Sequence, residues 1–190
     1  TESRNGTNRY RLVNGLDEFV RGETGQRLVF GYRGVRPYDL SKLNENVRSR
    51  VAARTEVPTL KHLLSAIRSG DAVMILFGSY RRNPMRSDRM DRIGGHYVAV
   101  VGSGEDTPGD AANTSIFLHD SNDGRQGKKI VVADPHKNSL ELWDGRQRLI
   151  RAVGLVELID APIRKDGRIA FLETILSISP RSMSESLNAH

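Results

Sequence analysis

The chain has 190 residues, 37% of them hydrophobic, which suits one compact domain with its own core. Its formal net charge of +6 is spread along the sequence without zinc-finger spacing, an aromatic single-strand platform or a basic heptad helix, so nucleic acid is not an expected partner. The sequence has no cysteine, which excludes disulfides and thiolate metal sites, and no apolar run approaches the ~20 residues of a transmembrane helix, so membrane insertion is not expected.

The N-terminal segment predicts one helix and one strand. Apolar residues at positions 12, 13, 16, 19 and 20 recur with helical spacing in LVNGLDEFVRGET, and Gly22 predicts the end of that helix. In RLVFGYRGV, residues 27 to 35, apolar and aromatic side chains alternate between glycines, which predicts a strand. Because the chain begins at Thr1 rather than at methionine, we expect that an upstream segment has been removed, where a signal peptide would lie.

The clearest unit is a helix that leads into a buried strand, in VPTLKHLLSAIRSGDAVMILF, residues 57 to 77. Pro58 and Thr59 open this helix, Gly70 closes it, and residues 72 to 77 form the strand. One apolar helix face is expected to pack against the sheet and form the core. The helix side of this contact is Leu60, Leu63, Leu64 and Ile67, and the sheet side is Val73, Ile75, Val98, Val100, Ile116 and Leu118.

The rest of the chain predicts a surface loop and then a run of strands. RRNPMRSDRMDRIGG, residues 81 to 95, is polar with five arginines, which indicates a solvated loop or a loop beside a cleft that meets an acidic or polar substrate. A hairpin excursion is expected over residues 102–115, and strands over 96–102, 116–124, 128–134, 139–145 and 152–159. This order predicts an α+β fold with an antiparallel sheet, as one domain over residues 1–178 followed by a flexible tail over 179–190.

His96 is the first candidate for chemistry. It follows two glycines and leads into a β-branched strand, so its ring can face a cleft, where an imidazole that titrates near neutral pH can carry a proton. A strand-edge histidine bonded to backbone is the structural alternative. Asp120 ends the next strand, and a hairpin would bring it beside His96. A carboxylate behind an imidazole fixes its tautomer and stabilises its cation, so we predict the two side chains within hydrogen-bond reach or one water apart.

Three stretches resemble the later part of papain-like cysteine peptidases of the double-glycine-leader, bacteriocin-processing type. They are TLKHLLSAIRSGDAVMILF, GGHYVAVVG and IFLHDSNDG, and the resemblance covers roughly residues 57 to 124. It implies a papain-like fold and a bacterial hydrolase, cytoplasmic or secreted, that cuts peptide or amide bonds in a peptide or protein substrate. It also implies that His96 is the catalytic base and that Asp120 orients it, with Asn122 as a second candidate for the orienting role.

The sequence departs from that family at the nucleophile. The family has a glutamine and then a cysteine at the start of an N-terminal helix, and this chain has neither the cysteine nor such a helix start. Either the cysteine helix lies upstream of Thr1, or the protein is a non-catalytic relative that binds or scaffolds a peptide. The first 35 residues resemble the segment that comes after the cysteine helix in the family, which favours the first explanation. In the second, the segment from Thr1 to Gly15 is expected to fill the place beside His96.

Other chemistries have weaker support in the sequence. Thr1 is a formal candidate for an N-terminal nucleophile, although any cropped chain must start at some residue. DSNDG resembles a calcium loop with the wrong spacing. A zinc site is conceivable from four residues near two strand ends, but polar turn residues explain them more simply: His119, Asp123, Asp134 and His136. We therefore expect no metal and no cofactor, and the sequence leaves the oligomeric state open.

Overall fold

The computed structural model describes residues 8–105, 114–120, 128–132, 139–159, 161 and 167–180. Within these residues there are three helices and a short 3₁₀ turn: α1 (Arg9–Thr24), the turn Leu40–Lys42, α2 (Glu45–Arg48) and α3 (Leu60–Arg68). The same residues form ten strands: β1 (Val29–Gly34), β2 (Val51–Thr55), β3 (Ala72–Asn83), β4 (Arg86–Glu105), β5 (Thr114–His119), β6 (Lys128–Val132), β7 (Leu140–Asp144), β8 (Gln147–Ala152), β9 (Leu158–Ile159) and β10 (Ile169–Ser179).

The strands of the described residues join in one sheet. Its order is β2-β1-β10-β3-β4-β5-β6-β9, with β7 pairing β4 and β8 pairing β7. The β1–β2 and β4–β7 pairs are parallel, and the other pairs are antiparallel. The protein is mostly sheet, and the sheet curls into a mixed half-barrel. The predicted α+β, papain-like fold, with an antiparallel sheet packed against helices, is therefore wrong.

Three strands absent from the sequence prediction account for much of this difference. They are β2, β8 and β10, and β10 lies between β1 and β3 near the middle of the sheet. Its sequence, IAFLETILSIS, is buried along almost its whole length and lacks the alternation that marks a half-exposed strand. β2 can run parallel to β1 because the 3₁₀ turn and α2 carry the chain back between them.

The sheet buries a core on each of its faces. On one face Leu63 of α3 is fully buried against sheet residues that the sequence predicted for this contact: Val73, Ile75, Val98, Ile116 and Leu118. Leu60, Ile67 and Val100 pack against this cluster and are partly buried. Leu64 is the exception, because it lies only partly buried in a shallow pocket on the outer side of α3. The predicted helix-to-sheet packing is confirmed except at Leu64.

The other face is covered by α1. Tyr10 and Val13 are buried there in a cluster with residues of β1 and β10. Asp17, also buried, bonds both guanidinium Nη atoms of Arg50 at 2.6 and 2.8 Å, and accepts from the Leu28 N–H at 3.2 Å. The Arg50 hydrogen bonds outweigh burial and lower the pKa of Asp17. This ion pair ties α1 to the segment just before β2.

The arginine-rich segment is a hairpin, and its prediction as a loop is wrong. β3 and β4 pair from Val73↔Val100 to Asn83↔Arg86, with the turn at residues 84–85. Tyr80 and Met90 anchor the hairpin because both are buried, with Phe171, in a third apolar cluster. The many charged residues of this segment made it look like a loop in the sequence. In the structure arginines and carboxylates alternate along β4 and pair with each other, as Arg89 and Asp91 do at 2.6 Å.

Element boundaries also differ at glycines. The first helix continues through Gly22 to Thr24, and Gly25 ends it in the left-handed conformation at φ 72°. The strand predicted over residues 152–159 is broken at Gly154, φ 78°, so that β8 ends at Ala152 and β9 covers only Leu158–Ile159. Residues 106–113 of the predicted excursion and 181–190 of the predicted tail lie outside the described residues. None of the helices described is both long and apolar enough to cross a membrane.

Candidate active site

His96 lies on β4, which pairs with β3 on one side and, from Ala99 onwards, with β5 on the other. It is directly opposite Phe77 of β3. On its other side β4 pairs with β5 in an antiparallel register that sets Ala99 opposite His119. Since the next residue after His119 is Asp120, the antiparallel geometry carries Asp120 back along β4 towards His96.

The two side chains meet directly. His96 Nε2 is 2.8 Å from Asp120 Oδ1. The Asp120 side chain is 2% exposed, whereas the His96 side chain is 18% exposed. The predicted pairing on neighbouring antiparallel strands is confirmed, without an intervening water. The roles of both residues in catalysis stay a prediction.

The bond also determines which ring nitrogen is available for chemistry. An ionised carboxylate can only accept hydrogen bonds, so with Asp120 ionised the 2.8 Å contact requires a proton on Nε2 of His96. In the neutral ring, Nδ1 is then the unprotonated nitrogen and the atom that can take up a proton. The arrangement thus supplies a base with one nitrogen oriented by a buried carboxylate and the other free of that carboxylate.

Phe77 supports the ring of His96 from the side. The two ring centroids are 5.7 Å apart with an interplanar angle of 79°, an edge-to-face contact. Phe77 itself is fully buried in the cluster that includes Leu63. Sequence reasoning placed Phe77 in a buried strand but had no signal for this contact, because it depends on the β3–β4 register.

A buried polar network lies on the sheet face opposite to the His96 side chain. It packs against Gly95, the residue that precedes His96. Glu173 of β10 is fully buried and accepts from Arg92 Nε at 2.6 Å, from Arg92 Nη2 at 3.2 Å and from the Tyr80 hydroxyl at 2.5 Å. Burial acts to lower the pKa of Arg92, but the charge of Glu173 and its hydrogen bonds outweigh burial, so the pKa of Arg92 is raised. The pKa of Tyr80 is also raised, first by burial and then by the nearby Glu173. Three strands of the sheet are thereby joined beside the candidate site.

Two glycines make room for this network. Gly78 and Gly95 are directly paired across β3 and β4, next to the Phe77–His96 pair. A Cβ at Gly78 would overlap the Glu173 carboxylate, and a Cβ at Gly95 would overlap the Arg92 guanidinium. Gly78, and Gly95 of GGHYVAVVG, therefore have a packing role here, which sequence reasoning did not assign to them.

The described part of the N-terminal segment does not fill the place beside His96. Arg9 lies over the rings of Tyr10, Tyr32 and Tyr38, with its Cζ 5.0 to 5.9 Å from their centroids. These contacts, and the packing of Val13, hold α1 on the sheet face that His96 does not face. Residues 1–7 lie outside the described residues.

Several sequence candidates cannot be placed. Thr1, Asn122 and the other residues of DSNDG that follow Asp120 fall outside the described residues, as do three of the four residues considered for zinc. The fourth, His119, is on β5. No group of three or more metal-binding side chains occurs within the described ranges.

The comparisons with known proteins give no relative that could refine these assignments. Searches of protein-family models, of curated proteins and of solved structures find no match to this chain.

Proposed function

We propose that this domain carries the base of a thiol hydrolase that cleaves peptide or amide bonds. His96 is the general base and Asp120 is the positioning residue behind it. The observation that carries the proposal is the 2.8 Å bond from Nε2 to a carboxylate that is 2% exposed, on a histidine that stays partly exposed. A carboxylate behind an imidazole fixes the tautomer of the ring and stabilises its cation, which is the arrangement that a general base needs.

The proposed step transfers one proton through Nδ1. A thiol gives its proton to His96 Nδ1, and the sulfur attacks the carbonyl carbon of the substrate to form a tetrahedral intermediate. The bond to the leaving amine then breaks, and the amine takes the proton from Nδ1. Water hydrolyses the resulting thioester by the same proton route, which releases the acid and restores the thiol.

The thiol has to come from outside these 190 residues, because the sequence contains no cysteine. This makes the base testable apart from its natural nucleophile. A small thiol in solution can replace the missing group if His96 is accessible and correctly oriented.

The experiment measures thiolysis of a peptide p-nitrophenyl ester by 2-mercaptoethanol in the presence of the full chain. Release of p-nitrophenol is followed at neutral pH, with the uncatalysed rate of the same thiol and ester subtracted. We expect an acceleration that saturates with ester and falls to background in His96→Ala. General-base assistance is typically about 10²–10⁴-fold in complete sites, and a diffusing thiol places this system below that range.

His119→Gln is the matched control. His119 is one residue from Asp120 but faces the other side of β5, since Leu118 and not His119 points into the core. It should retain the full rate, and both variants should unfold at nearly the wild-type urea midpoint. An acceleration that survives in His96→Ala, or that falls equally in His119→Gln, would refute the assignment of His96 as the base.

A peptide-binding module without catalysis is the second candidate, favoured by the zero cysteine count. In that case the ester is not turned over even with added thiol. An extended peptide could instead pair with β2, an edge strand whose residues after Val51 are exposed. Absence of any acceleration, together with peptide-induced shifts in the amide signals of β2, would favour this second function.

A further inference from the structure

A cavity of about 290 Å³ lies between α3 and the strands β1, β2 and β10, and His96 does not line it. Ala52, Gly31 and Ser177 form its floor, and they are direct neighbours across these three strands. A Cβ at Gly31 would lie 2.5 Å from Ser177 Oγ. Three small residues in one row therefore leave the space open.

Two arginines stand side by side in the next row of the same floor. Arg33 and Arg54 are paired neighbours on the parallel strands β1 and β2, and both line the cavity. Like charges directly opposite each other on adjacent strands are destabilising, and a nearby anion relieves the repulsion. Arg33 has one in Glu56, with which it forms an ion pair. Arg54 is exposed and forms no ion pair within the described residues.

The remaining polar groups leave this end of the cavity positive. His62 lines the wall on α3, and burial and then Arg33 lower its pKa, so it adds no charge at neutral pH. Asp71 also lines the cavity, but it follows Gly70 beyond the other end of α3 and has partners of its own. With Glu56 set against Arg33, the charge of Arg54 remains uncompensated.

We propose that this cavity binds the oxyanion of a small ligand, a carboxylate or a phosphate, between Arg54 and Arg33. A planar guanidinium donates two parallel hydrogen bonds to either group, and a second guanidinium alongside it strengthens the site. The body of the ligand lies over Gly31 and Ala52, where Ile175 and Ala66 add apolar surface. This site is independent of the hydrolase proposed for His96.

The test is an NMR titration of the ¹⁵N-labelled full chain with acetate, butyrate and inorganic phosphate, each at constant ionic strength and with chloride as the reference. The amide signals of Gly31 and Ala52 report occupancy. We expect saturable shifts, and a dissociation constant about tenfold higher in Arg54→Gln, the effect of losing a hydrogen bond to a charged group. Butyrate binding tighter than acetate or phosphate would identify a carboxylate with an apolar body; tighter phosphate would identify a phosphate ligand.

Two further variants separate a built site from general charge attraction. Arg81→Gln removes an exposed arginine of β3 that does not line the cavity, and it should leave binding unchanged. Ala52→Leu fills the floor at an exposed position while keeping both arginines, and it should weaken butyrate at least as much as Arg54→Gln does. Shifts that do not saturate with any probe, or equal losses in Arg81→Gln and Arg54→Gln, would overturn the proposal.

Discussion

Replacing Glu173 by glutamine should destabilise the protein strongly. The carboxylate is fully buried and accepts three hydrogen bonds, two from Arg92 and one from Tyr80. Glutamine keeps the shape but replaces one acceptor oxygen by an NH₂ group, which then faces an N–H or O–H donor. Arg92, whose side chain is 17% exposed, is left with an uncompensated charge.

The magnitude of the loss depends on this burial. Removing one partner of a buried ion pair costs about 3–5 kcal/mol. Because Arg92 retains some exposure, we expect the lower end, about 3 kcal/mol. With a urea m-value of about 2 kcal/mol/M, the unfolding midpoint would fall by about 1.5 M.

Urea unfolding at pH 7, followed by circular dichroism, measures this loss, and Asp88→Asn serves as the control. Asp88 pairs with Arg86, but their side chains are 41% and 47% exposed, so solvent screens this pair and its loss should hardly change the unfolding midpoint. The double variant Arg92→Met, Glu173→Leu should recover part of the loss, since it leaves no charge unpaired although the Tyr80 hydroxyl loses its acceptor. A loss below about 1 kcal/mol in Glu173→Gln would show that the network does not support the sheet as described.

Three other predictions test the packing and the charges. Leu63→Ala should cost about 2–5 kcal/mol in urea unfolding, because the side chain is fully buried between α3 and the sheet; a loss below about 1 kcal/mol would mean that α3 is misplaced. Gly78→Ala should lower the unfolding midpoint clearly, whereas Gly94→Ala, whose Cβ would meet no atom within 4 Å, should not; equal effects would contradict the crowding at Gly78. Arg50 lowers the pKa of Asp17, so the stability this pair adds is present above pH ~4 and is lost as the pH falls through the folded-state pKa. Asp17→Asn should therefore be less stable at pH 7 and lose less stability than wild type below pH ~4, and parallel pH curves would rule out the linkage.

Local patterns in the sequence were sufficient for much of the secondary structure and for the candidate pair. Helical spacing at Leu60, Leu63 and Ile67 predicted both α3 and the face that it buries. The pairing of His96 with Asp120 was predictable because two strands joined by a hairpin have to bring those positions together.

The global arrangement was not predictable in the same way. The central strand β10 is separated in sequence from its neighbours β1 and β3, and no local pattern reports such a pairing. The hairpin was missed because it is rich in charged residues, and a charged stretch of sequence is typical of a solvated loop. In the folded protein these charges form ion pairs with each other. Nothing in the sequence indicated that Gly78 and Gly95 leave room for side chains, because the residues that they accommodate, Glu173 and Arg92, contact them only in the folded sheet.

The central claim is that Asp120 orients His96 as a base, and the positions of the ring protons test it most directly. The ¹⁵N chemical shifts of the His96 ring nitrogens, measured in alkaline solution where imidazole side chains are neutral, distinguish a protonated from an unprotonated nitrogen. The structure predicts a proton on Nε2 and none on Nδ1 in the wild type, with this preference weakened in Asp120→Asn. A proton on Nδ1 in the wild type, or a preference that Asp120→Asn leaves unchanged, would contradict the account.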